Sequence, residues 1–453
     1  MYILNHAVNE ATRKKIFVAH GQMHADNIPI LQEIVGLRKQ QAGLLGYKSY
    51  SHYVLESQMA KTPQAVKELE TQLHGKLAQA AAQEHGKLVD MKRNNTEAAG
   101  RAPTRVYDWD YPYYANMVTK KKHGVDHSII KQYFVCEATV EGILDVFRDM
   151  LGLEIVSVSL PHVWHPDVQA YEVWETDGHV HVGCFFLDLF SRPGKYDHPA
   201  VWTIRPGYEH VDKTRAHPIS ALVAGFPKAE STTPTLLKHQ HVKILLHEFG
   251  HLFHGICSST KWSRFHGTTG PVDFVEAPSQ MMEYWAWEPC FLRRVARHYK
   301  TKEPLPEQLL KDLVASRNDE IGIDKISQVF LGMYDLRIHS KDIEDIDVSK
   351  LYNSMHRELA FSDIGDAEVY PVAASMQMAN GYAGLYYGYL WSEMISADMF
   401  ATRFLADGID NKETGMEYRN EILRPGDSRD PAISLEKFIG RKPNATAFLE
   451  MIS

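Results

Sequence analysis

The chain has 453 residues, 44% hydrophobic and 23% charged, a composition that excludes a disordered chain and a length that allows two or three domain-sized units. Its 57 acidic and 49 basic side chains give a formal charge of −8 with neither sign gathered into a long run, which argues against a nucleic-acid partner. Cys136, Cys184, Cys257 and Cys290 stand singly without CxxC spacing, and no run of about 18 uncharged apolar residues occurs, so a disulfide framework, a thiolate metal site and a membrane span are all unexpected.

The start, Met1 to His6, lacks a basic stretch followed by an apolar one and so does not read as a secretion signal. The expectation is a soluble cytoplasmic protein, or a mitochondrial one if a targeting segment precedes it. Residues 1–153 read as helical. Thr62 and Pro63 supply an N-cap and a first-turn proline, after which Val66, Leu69, Leu73, Leu77 and Ala80 recur at helical spacing. Asn94-Asn95 and Gly100-Arg101-Ala102-Pro103 are expected to break that helix before the aromatic segment Tyr107 to Tyr111. From Glu154 to Phe226 the pattern becomes β-like, as in Ile155-Val156-Ser157-Val158 and Val180-His181-Val182, with turns at Asp177-Gly178 and Pro193-Gly194. After Pro234 the chain reads as helical to its end, broken at Pro425-Gly426-Asp427. This predicts a mainly α protein with one small β-sheet at 154–226, inside a region 154–453 that follows the helical region 1–153.

Within that second region lies His247-Glu248-Phe249-Gly250-His251. Histidines four apart project from one helix face and can offer two imidazoles to one zinc ion, and Glu248 beside them can take a proton from the attacking water. Leu245, Leu246, Phe249, Leu252 and Phe253 would bury the helix's other faces. HExxH alone is a weak signal, and a third ligand decides it. A metzincin would need Gly at 254 and His at 257, where this chain has His254 and Cys257. Glu276, in Asp273-Phe274-Val275-Glu276, is the remaining candidate, although Asp273 and Glu276 also spell a capping box that needs no metal.

His247 to His251, together with Asp273-Phe274-Val275-Glu276-Ala277-Pro278-Ser279-Gln280, resembles the thimet oligopeptidase, neurolysin and saccharolysin family of zinc metallopeptidases. The likeness also covers Tyr196 in Gly194-Lys195-Tyr196, the segment Ile219 to Ala224, and Tyr386 to Glu393. It implies a gluzincin-type catalytic core in a helical clamshell with a deep channel that admits short peptides. One zinc ion would be held by His247, His251 and Glu276, with Glu248 as general base and proton shuttle. Ile219 to Val223 would form an edge strand pairing with the substrate backbone. Tyr382 and Tyr389 would donate to the oxyanion; Tyr382, Tyr386 and Tyr389 have the spacing of one helix face, which equally describes core packing, and Tyr386 stays undecided.

Two departures from the family stand out. Gln377 occupies the place of a usual histidine in a loop that has also lost most of its glycines, and relatives carry a helical region ahead of the point where this chain begins. The expected function is a zinc-dependent oligopeptidase cleaving internal bonds of short peptides, with no obligate protein partner. The alternative is a catalytically impaired, zinc-containing peptide-binding relative. Among the other histidines, His254 reads as outer-shell or packing, His266 as a loop residue near the channel, and His239 and His241 as a solvated helix start. Glu283, seven residues after Glu276, either orients a ligand histidine or is an ordinary carboxylate.

Overall fold

The computed structural model describes residues 2–98, 105–123, 126–177, 180–229, 233–319, 321–341, 347–361 and 363–452. Two units make up the chain: Met1–Gly124 with Ala315–Trp391 and Ile452–Ser453, and Val125–Val314 with Ser392–Met451. No helix among the described residues is long and apolar enough to cross a membrane.

The first unit is built on two long helices, Pro63–Ala98 and Ile321–Ile338. Thr62 caps the former as expected, its Oγ1 accepting from Ala65 N at 3.2 Å. Val66, Leu73, Leu77, Ala81 and Leu88 form its buried stripe. The backbones meet at Gly322, where a Cβ would lie 2.7 Å from Ala81 N. Glu84 closes the start of Ile321–Ile338 by accepting from Gly322 N and Ile323 N at 3.1 and 2.9 Å. Asn94 and Asn95 do not break the first helix, which continues to Ala98. Their weak helical preference is outweighed by buried Lys92, which donates to Asp110 Oδ2 and Arg105 O at 2.6 Å each. The second expected break, Gly100 to Pro103, lies outside the described residues. The helices Asn27–Leu44 and Val348–Leu359 pack beside the pair through a core of Leu31, Val35, Phe330, Tyr334, Ile338, Val348, Val372 and Met378.

In the second unit the helix Cys136–Leu151 ends at Gly152, which takes up a left-handed conformation with φ 61°. The β region begins there and extends to Phe226, as the sequence predicts. Its strands are β1 (Leu153–Val158), β2 (Gln169–Glu175), β3 (His181–Phe190), β4 (Ala200–Arg205), the two-residue pair β5 (Tyr208–Glu209) and β6 (Arg215–Ala216), and β7 (Ile219–Phe226). The main sheet has the order β1-β2-β3-β7-β4, with β3 and β7 parallel and the other neighbours antiparallel. Of the two turns expected here, Gly194 has φ 78° in the connection after β3, and Gly178 lies outside the described residues.

This order corrects the reading of Ile219 to Val223 as an edge strand. β7 is paired on both sides, to β3 and to β4, and its nearly continuous apolar run is what an interior strand requires. Among the described residues the sheet edges are β1 and β4, and β4 exposes Trp202 and Ile204.

Glu70 lies in the buried stripe of Pro63–Ala98, where burial and the nearby Asp335 raise its carboxyl well above the usual range. A carboxyl raised by folding favours the native state at low pH, and that advantage is lost as pH climbs past the ordinary carboxyl value of about 4.5. Thermal unfolding of Glu70→Gln at pH 7–8 should therefore show a gain on the order of 1–3 kcal/mol over the parent. The gain should shrink as pH falls toward about 4.5 and be absent below it.

Candidate metal centre

The helix His239–Cys257 carries the centre. Leu245, Leu246, Phe249, Leu252 and Phe253 are fully buried, and Phe253 stacks on Phe147 at 4.3 Å, so the helix is locked against its own unit. Its start is not solvated as the sequence suggested. His239 is buried, bonds to Ala286 O at 2.7 Å and packs edge-on to Trp287; burial lowers its imidazole to about 4. His241 is half-buried and stacks on Phe226.

His247 and His251 point to one spot. Their Nε2 atoms lie 3.2 Å apart, and Glu276 Oε2 stands 3.2 Å from the first and 3.0 Å from the second. Glu276 sits at the junction of two short helices, Val272–Val275 and Ala277–Met282. Pro271, not Asp273, precedes the first of them, so the capping-box alternative is not the observed geometry. The junction reaches the histidines because Gly250 has no side chain: a Cβ there would meet Ser279 Cα at 2.6 Å. Ser279 Oγ donates to Glu276 O at 2.9 Å and to its Oε2 at 3.3 Å.

A further layer holds the ligands. Glu283 accepts from His247 Nδ1 at 2.7 Å, which turns Nε2 toward the centre, and Lys243 Nζ lies 2.8 Å from Glu283 Oε2. Burial opposes charge on His247, yet its bonds to Glu276 and Glu283 prevail and raise it to about 10. Burial likewise opposes ionisation of Glu283, and Lys243 with His247 brings it down to about 2. At Glu276 the two histidines outweigh burial and hold the carboxyl well below the usual range. Glu248 is buried and raised by that burial, while the charges of His247, His251 and His198 draw it back. Three converging ligand atoms, one anionic, suit a divalent cation that would displace the proton on His247, and they are the sole such group found among the described residues.

Lys243 was missed in the sequence although its i−4 spacing from His247 could have flagged it. His198 carries no local signal. His254 is buried in a packing position, in a small pocket lined by Pro271, Phe274 and Val275, and burial lowers it to about 3. His266 lies in a loop, as expected, and is buried there.

Tyr382, Tyr386 and Tyr389 belong to the first unit and do not share a helix face. Residues 380–387 are turns, and the helix Gly388–Met399 contains only Tyr389. The amides of Gly384 and Tyr386 bond to Asp335 at 3.0 Å each, which takes them away from helical partners. Even so, Tyr382 and Tyr389 meet as parallel rings 5.4 Å apart, and Tyr386 donates through its hydroxyl to Gln328 at 3.2 Å. Gln377 is half-buried in the one-turn helix Met376–Ala379 of the same unit.

The sequence matches peptidase family M3 over residues 3–453. Saccharolysin of Saccharomyces cerevisiae is 33% identical over 99% of this chain and 64% of its own length. A thimet-like oligopeptidase of Dictyostelium discoideum is also 33% identical, over 97% of this chain and 67% of its own. The chain thus spans about two thirds of the length of these relatives. A Pyrococcus furiosus carboxypeptidase structure shares the fold at a TM-score of 0.58 and 16% identity, covering 98% of this chain and 78% of that one.

Replacing Glu283 with Gln should weaken divalent-metal affinity about 10–100-fold in chelator competition. Unchanged affinity would remove Glu283 from the ligand support.

Proposed function

The chain belongs to peptidase family M3, and from that membership and the geometry of its metal centre we propose a zinc-dependent oligopeptidase that hydrolyses internal bonds of short peptides. The observation that carries this reading is the convergence of His247 Nε2, His251 Nε2 and Glu276 Oε2 beside the buried carboxyl of Glu248. One zinc ion would be held by His247, His251 and Glu276. Bound there, it supplies Lewis acidity that acidifies water and polarises a carbonyl.

The protein's own groups do the rest. Glu248 receives the water's proton and returns it to the leaving amine; its burial, by raising the carboxyl, suits a group that must hold a proton between those two moments. Glu283, supported by Lys243, keeps the His247 ring in the ligating orientation. Tyr382 and Tyr389 are the proposed oxyanion donors, and Tyr386, whose hydroxyl is engaged with Gln328, is left out. Substrate backbone pairing, if it uses this sheet, falls to β4 rather than β7. All four cysteines are unpaired, which supports a reducing compartment such as the cytoplasm.

The test is mass spectrometry of a mixed peptide pool digested by the zinc-loaded protein. Glu248→Gln should retain the metal and lower kcat by about 10²–10⁴-fold, and a chelator should abolish cleavage. No cleavage above the Glu248→Gln control would reject the peptidase and favour a peptide-binding relative. In that case Gln377→His should restore measurable turnover if loss of a proton-carrying side chain there is the cause.

A further inference from the structure

The segment from Met378 to Tyr389 lies in turns for most of its length, yet both its carbonyls and its amides are gripped from outside. On the carbonyl side, Arg38 from the helix Asn27–Leu44 donates to three successive residues: Nη1 to Met378 O at 2.6 Å, and Nη2 to Ala379 O at 3.0 Å and Asn380 O at 3.1 Å. On the amide side, the carboxylate of buried Asp335, on Ile321–Ile338, accepts from Gly384 N through Oδ1 and from Tyr386 N through Oδ2.

Buried His339 joins the two grips. Its Nε2 lies 3.3 Å from Arg38 Nη1, and its Nδ1 is hydrogen-bonded to the backbone oxygen of Asp335 at 3.0 Å and lies as close to Asp335 Oδ1. Guanidinium can only donate, so Nε2 must accept, and in the neutral ring the proton then sits on Nδ1, facing Asp335. The backbone oxygen of His339 is itself fixed by Ser51, through N at 3.2 Å and Oγ at 3.0 Å. Gly384, at φ 74°, supplies the one turn that a side-chain-bearing residue would resist.

We infer that Arg38 and Asp335, linked by His339, are positioning residues that hold the Met378–Tyr389 segment in the shape peptide hydrolysis requires. The inference rests on the reading of Tyr382 and Tyr389 as transition-state donors. A segment clamped at both carbonyls and amides is already ordered before substrate arrives, and with it the parallel pair Tyr382 and Tyr389. The clamp residues belong to the first unit and the metal-ligand candidates to the second.

Asp335→Asn preserves shape but replaces one accepting oxygen with a donor, so one of the two amide bonds is lost. Arg38→Gln acts on a half-buried residue and removes the shared cation, while Arg38→Lys keeps the charge without the fork. With zinc content and unfolding temperature at parental values, Asp335→Asn and Arg38→Gln should each lower kcat on the order of tenfold while leaving KM within about twofold. Arg38→Lys should fall between parent and Arg38→Gln, and Asp335→Asn should cost little more in a Tyr382→Phe, Tyr389→Phe background. Hydrogen exchange at Gly384 and Tyr386 should quicken in Asp335→Asn.

Parental kcat in both Asp335→Asn and Arg38→Gln would overturn the inference, as would losses of kcat that follow losses of zinc or of folded protein in both. If Asp335→Asn does not fold, Arg38→Gln and Arg38→Lys decide. Lowered kcat in the clamp variants with parental kcat in Tyr382→Phe and Tyr389→Phe would reject the tyrosine donors and leave the clamp standing. Should the zinc-loaded parent cleave nothing, the peptidase reading fails separately, and amide exchange decides the clamp: faster exchange in Asp335→Asn sustains it and unchanged exchange rejects it.

Discussion

The metal centre depends on a distance between backbones. His247 and His251 come from one helix and Glu276 from a junction 25 residues later, and the three ligand atoms meet within 3.2 Å because Gly250 lets Ser279 come against the helix where a Cβ would otherwise stand. The apolar residues between and around the histidines, Leu245, Phe249, Leu252 and Phe253, fix the opposite face of that helix in its unit's core. The five-residue motif therefore does two jobs at once. Its polar positions bring two imidazoles and the Glu248 carboxyl to one spot, and its glycine sets how near Glu276 can come.

How much of this was legible in the sequence depends on whether the deciding interaction is local. The i, i+4 histidines, the glutamate after them and the Glu276 segment are local patterns, and they occupy the positions the pattern implies. The β region from β1 to β7 was likewise readable, since alternation and β-branching are properties of each strand. Strand order is not, and Ile219 to Val223 proved to be an interior strand because β7 enters between β3 and β4 and pairs with both. Asn94 and Asn95 stayed helical through a buried lysine anchored elsewhere, and His239 was drawn under Trp287 by contacts across the fold. The tyrosines show the limit best. Spacing of four and three spells a helix, but Asp335 captures the amides that would have made one. The units themselves mix segments far apart in the chain, which reading by position does not reveal.

Buried charge in this protein is arranged in linked groups. Arg13 and Lys92 share Asp110 in the first unit, Arg38, His339 and Asp335 form a chain beside the tyrosines, and Lys243, Glu283 and His247 form another at the candidate metal centre. In each, a side chain with two or more partners ties several segments together, and in the first, which is fully buried, removing Asp110 would strand the Arg13 guanidinium in a dry setting.

Lys243 gives the last of these chains a meaning in terms of total charge. Glu276 and Glu283 contribute two negative charges beside the centre, and the ammonium 2.8 Å from Glu283 cancels one. With a dication in place and Glu248 ionised, the cluster sums to zero. Without Lys243 it would carry an excess negative charge in a buried setting, one that would repel an electron-rich carbonyl and blunt the pull on it. The lysine one turn before the first histidine thus sets the electrical balance point of the site, leaving the protonation of Glu248 as the event that tips it positive.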